Sequence, residues 1–222
     1  MDDIKQQIDD VLTAAFSREF WLDLHEELSI TYAACQAVAT GNTLKLGEPE
    51  LIRTRAQIRH YGLNSALRRA AQRSGYASFD AETNPKGENY VIVSSQGVRA
   101  SRIGVNHNKL DIKAAKHRSL LAELNQDLEG FTPDMFNLVS QKRPAEEKGS
   151  LGVLFLNVNP PLNVGQDRML DLRVVVPFTN LKGSHYNRSI VEILELYAVE
   201  KDVVIPDLAI PVLRKRLREL EG

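Results

Sequence analysis

Cys35 is the only cysteine in this chain. An intrachain disulfide is therefore excluded, as is any zinc site built on several cysteines. Long apolar runs are missing too. Stretches such as Leu151 to Leu156 and Val174 to Val176 fall far short of the roughly 20 residues of a membrane span. Met1-Asp2-Asp3 opens an acidic segment without the basic start and apolar centre of a signal peptide. The expectation is a cytoplasmic protein with no membrane partner.

Catalytic signatures are equally scarce. The chain has no G-x-x-x-x-G-K-[ST], no G-x-G-x-x-G and no G-x-S-x-G. His25-Glu26-Glu27 begins like a zinc-protease helix, but Ser29 stands where the second histidine is needed. No cofactor and no metal is expected from these motifs.

What the sequence does have is a lopsided charge. The net value of −1 hides three blocks. Residues 1–50 carry three bases against ten acids, residues 51–118 thirteen against four, and residues 119–222 twelve against fifteen. A segment of +9 thus lies between segments of −7 and −3. Arg53, Arg55, Arg59, Arg68, Arg69 and Arg73 occur with no acid between Leu51 and Phe79. Arginine favours planar carboxylate or phosphate partners. Those arginines either pair with the acidic first fifty residues or line a surface for DNA, RNA or an acidic protein partner.

At 222 residues and 43% hydrophobic content, the chain can bury one sizeable core. Ile4, Ile8, Val11, Leu12, Ala15 and Phe16 recur at helical spacing, and Ser17 can cap a second helix that runs to Gly41. A third helix over Pro49–His60 is expected to break at Gly62, with a fourth over 66–73 capped by Asn64 or Ser65. That raises a helix-turn-helix, but Ile58 and Arg68 occupy positions where the motif wants a small residue and an inward-packing one.

Residues 80–86 read as a polar loop. Tyr90 to Ser95 and Val98 to Val105 read as a hairpin turning at Gly97. On its return strand, Arg99 and Arg102 have opposite parity and should face opposite ways. Residues 113–128 suit a helix, with Lys116, His117 and Arg118 outward. Residues 141–149, QKRPAEEKG, suit an exposed connection. Leu151–Val158 and Arg168–Val176 predict a second hairpin, 182–187 a loop, and 189–199 and the segment after Pro211 helices.

The fold class expected is α+β: a helical N-terminal part, then two antiparallel hairpins in a sheet of about four strands packed by helices. One domain over 1–222 is expected, divisible into 1–78 and 79–222. The functional expectation is a non-enzymatic binding or regulatory protein. Arg55, Arg59, Arg68, Arg69, Arg73, Arg99 and Arg102 are its candidate phosphate- or carboxylate-binding residues. Two other classes stand beside it. Asp111-Ile112-Lys113 has the acid-x-lysine spacing of metal-dependent nucleases, with Asp80 as an earlier carboxylate. Read more simply, Asp111 is a helix N-cap or first-turn acid. The remaining class is a purely structural interaction module whose arginines are neutralised internally. Oligomeric state is not legible.

Overall fold

The computed structural model describes residues 2–41, 45–83, 87–109, 111–129 and 150–198. The expected connection at 141–149 and the helix after Pro211 lie outside them. Three helices come first: α1 (Asp2–Ala15), α2 (Arg18–Thr40) and α3 (Glu48–Arg73). Ser17 caps α2 by accepting from the Phe20 amide, and Gly41 closes it.

Gly62 does not break α3. The helix is continuous because Gly62 lies where α3 meets α2: a Cβ there would sit 2.6 Å from Cys35 Sγ and 3.1 Å from Thr31 Cγ2. The glycine permits close helix approach rather than a turn. Asn64, expected as a cap, is consequently a buried residue inside α3.

The sheet has six strands, not four, in the order β1 to β6: β1 (Ala77–Glu82), β2 (Asn89–Ser95), β3 (Val98–Asn106), β4 (Leu151–Asn159), β5 (Asp171–Pro177) and β6 (Ser184–Ser189). The β2–β3 hairpin turns through Gln96 and Gly97, both at positive φ, as a tight two-residue loop requires. The loops expected at 80–86 and 182–187 are in part the edge strands β1 and β6. Their polar sequences suit strands with one open side.

Strands β3 and β4 run parallel. They are joined through α4 (Lys116–Ala122) and a 3₁₀ turn (Glu123–Leu128), which replace the single helix expected over 113–128. Lys113 and Asp111 precede α4, so Asp111 is neither cap nor first-turn acid; Ala115 holds the cap position. The helix α5 (Ile190–Glu195) opens with a capping box between Ser189 and Glu192.

Strand parity divides the core. Val98, Ala100, Val153, Phe155, Leu172 and Val174 face α1, α2 and α3, where Phe16, Phe20 and Trp21 form an aromatic nucleus. Ile103, Val105, Leu154, Leu156 and Val175 face the opposite side, covered by Leu121 and Leu124. The sheet is thus buried on both faces, which is why β4 reads as a continuous apolar run. No helix among the described residues is long and apolar enough to cross a membrane.

Candidate anion-binding site

The face of β3 that carries Val98 and Ala100 continues into Arg102 and Gly104. That of β4 continues from Phe155 into Asn157 and Asn159. Apolar packing therefore gives way to polar side chains at the carboxyl ends of the parallel pair, the place where sheets of this kind hold ligands. Gly104 stands opposite Asn157, and its missing side chain leaves open the space beside the Asn157 amide. Above it, α3 contributes Arg55, Arg59 and His60, and the loop after β4 contributes Pro160 to Gln166. Together they enclose an open cavity of about 930 Å³.

Three arginines here are buried: Arg55 and Arg59 at 8% exposure and Arg102 at 6%. Arg102 donates from Nε and Nη2 to Asn64 Oδ1 (3.3 and 2.9 Å), from Nη1 to Asn157 Oδ1 (2.6 Å) and from Nη2 to the His60 carbonyl (3.3 Å). Arg59 lies over the Tyr32 ring at 4.0 Å and donates to the side-chain and backbone oxygens of Gln166. Gln166 in turn donates to the Pro161 and Val164 carbonyls, which fastens the loop to α3. Among the described residues, Arg55 has only a 3.4 Å contact to Gln36 Oε1.

Arg118, from α4, completes the set and donates to the Lys113 carbonyl. The Nε atoms of Arg59 and Arg118 are buried without a hydrogen-bond partner among the described residues. Among the described residues, no carboxylate pairs with any of these four arginines. Among the described residues, four arginines face one carboxylate, Glu88, an excess of three positive charges before any imidazole is counted.

The electrostatics of the cavity follow first from burial and then from that excess. Burial, with the Arg118 charge acting in the same sense, pushes Arg102 down to about 10, still charged at neutral pH. Burial also lowers Arg59 and Arg118. His117, which stacks on Tyr90 at 4.5 Å, is driven down to about 4 by burial, by Arg118 and by His60. His60 is lowered by burial and by Arg102, although Glu88 lies 3.5 Å from its Nε2. The shifted arginines and imidazoles lining the cavity are all lowered, chiefly by burial, and so resist carrying more positive charge, whereas burial raises the Tyr90 phenol.

The sequence candidates divide. Arg55, Arg59 and Arg102 converge on the cavity. Arg68, Arg69 and Arg73 do not: they follow the outer side of α3 and bridge to carboxylates. Arg68 meets Asp80 at 2.5 Å and Arg69 meets Glu27 at 2.8 Å. Arg73 meets Asp23, Glu26 and Glu27 at 3.1 to 3.2 Å. Arg99 lies on the opposite face of β3 from Arg102, as its parity requires.

Asp111 and Lys113 line a second depression of about 620 Å³ that Asp80 does not reach, because Asp80 is on β1 with Arg68. Among the described residues, no three His, Cys, Asp or Glu side chains cluster so as to hold a metal ion.

Asn64, Asn157, Gln166, His60 and Arg118 belong to the site and were not singled out from sequence. Only Arg118 carried a signal, as the end of the run Lys113, Lys116, His117, Arg118. No protein-family model matches the chain, and no curated protein or solved structure is significantly similar to it.

Proposed function

We propose that this protein is a non-enzymatic binding protein for a phosphate-bearing ligand, nucleic acid foremost, and that the cavity arginines are its contact residues. One observation carries the reading: Arg55, Arg59 and Arg102 are buried together, and among the described residues their partners are amides, carbonyls and a ring rather than carboxylates. A buried cation is costly without a counter-charge, so an arrangement that retains several of them fits an anion supplied from outside. Phosphate suits the set because its oxygens accept several arginine hydrogen bonds at once. The depth of the arginines favours a small protruding phosphate over the flatter surface of an acidic protein.

The test is binding of labelled single-stranded DNA and RNA across a salt series, with strand length checked on a gel. Affinity should fall log-linearly with salt. Arg55→Met and Arg118→Ala should each weaken it by about tenfold, the loss of one or two charge-assisted hydrogen bonds. Absence of binding at low salt, or binding that both variants leave unchanged, would overturn the reading.

A further inference from the structure

The cavity does not end at its own rim. Ile103, Gly104, Asn106, Asn108 and Arg118 also line the second depression, so the two are contiguous across the end of β3. That second depression adds Lys109 and Lys113 against Asp111 alone. Counted once, six cations and two carboxylates among the described residues border the whole track. Its two halves differ in kind. The cavity end holds buried guanidiniums with fixed hydrogen bonds, whereas Lys113 and Lys109 are exposed. Fixed, fork-shaped donors recognise one phosphate in one pose. Exposed lysines act as point charges along a backbone.

From this we infer the class of ligand, building on the function proposed above: the phosphorylated end of a single-stranded nucleic acid. The terminal phosphate enters the arginine cavity, and the following backbone crosses Lys109 and Lys113. A duplex is disfavoured because its phosphates lie on a stiff convex cylinder, whereas Arg102 is nearly sealed from solvent. A strand end is flexible and thin enough to reach it. A terminal monoester also carries more negative charge than an internal diester, which suits the excess of cations at the closed end. The stacked Tyr90 and His117 rings border the cavity and offer a face to the terminal base.

The experiment compares fluorescently labelled single strands of roughly 12 nucleotides, a length in the range that one binding groove covers. The set is linear with a 5′-phosphate, linear with a 3′-phosphate, linear with hydroxyl ends, and closed into a circle. At least one phosphorylated strand should bind about tenfold tighter than the hydroxyl-ended strand and the circle. Arg55→Met should collapse that difference, while Lys109→Ala with Lys113→Ala should weaken all linear strands and preserve it. Salt-sensitive binding with equal affinity for circle and every linear strand would overturn this inference and leave the broader function standing. No binding by any strand at low salt would overturn both.

Discussion

Arg102 and Asn157 stand on neighbouring parallel strands, and the Arg102 Nη1 donates to the Asn157 Oδ1 at 2.6 Å. The acceptor is a neutral amide where a carboxylate would fit the same space. The arginine is thereby oriented without being neutralised. Converting that one amide to an acid separates holding Arg102 from leaving it free for an anion.

Asn157→Asp should therefore stabilise the ligand-free protein, by about 1 kcal/mol for one charge-assisted hydrogen bond in place of a neutral one. It should also reduce oligonucleotide affinity at least tenfold. Urea denaturation measures the first effect and anisotropy the second. If the variant binds as tightly as the parent, Arg102 is not part of the binding charge.

Arg69 and Arg73 give the complementary case. Both are about half exposed and pair with Glu27 on α2. Hydrogen bonds and the charge of Arg69 and Arg73 hold the Glu27 carboxyl below the usual range despite its desolvation. Exposed pairs of this sort contribute little and are screened by salt. The double variant Arg69→Ala with Arg73→Ala should lower the urea midpoint only slightly at low salt, and less at high salt. It should keep its oligonucleotide affinity. A loss comparable to that of Arg55→Met would move the binding surface to the outer side of α3.

The contrast shows where the sequence could be read and where it could not. Periodicity locates α1, α2 and the β2–β3 hairpin, and parity alone sets Arg99 and Arg102 on opposite faces. The edge strands were illegible because half-exposed strands such as Ala77–Glu82 have the composition of loops. The parallel pairing of β3 with β4 depends on long-range contacts that leave no local pattern. Gly62 misled because a glycine that admits a neighbouring helix looks like one that ends a helix. The excess of arginine was visible, but which ones lack acids was not: Arg55 and Arg68 look alike in a string. Asn64, Asn157 and Gln166 gave no signal, since an asparagine or glutamine positioning a buried arginine is the same letter as one in a turn.

Gly152 tests the packing behind the site. It is the second residue of β4, beside the end of α4 and the 3₁₀ turn, where Asn125 holds it: the Asn125 side chain accepts from the Gly152 amide at 2.8 Å and donates to the Gly152 and Pro177 carbonyls. A Cβ on Gly152 would overlap the Leu121 carbonyl oxygen. That oxygen is backbone and cannot rotate away. Gly152→Ala should cost about 3 kcal/mol or more, seen as a lower urea midpoint. A midpoint equal to the parent's would mean that the end of α4 does not pack against Gly152.

His117 makes the site sensitive to acid in two opposed ways. Its folded-state value of about 4 lies below the ordinary 6.5, so between those limits the unfolded chain binds a proton that the folded chain refuses. Its contribution to stability is therefore complete above about pH 6.5 and is lost as the pH falls to about 4. His60 and His185, also lowered by burial, add in the same direction. A phosphate in the cavity reverses the balance for His117, because it offsets Arg118 and raises the imidazole. Protonation then favours binding. A terminal phosphate itself gains a proton at about pH 6 and loses charge, so the gain is read against a variant: as pH falls through the same window the parent should lose less affinity for a phosphorylated strand than His117→Gln does, while the free protein weakens. His117→Gln should flatten the stability curve and steepen the binding curve, each by up to about one proton per molecule. If parent and variant lose affinity equally with acid, the phosphate is not held beside this imidazole.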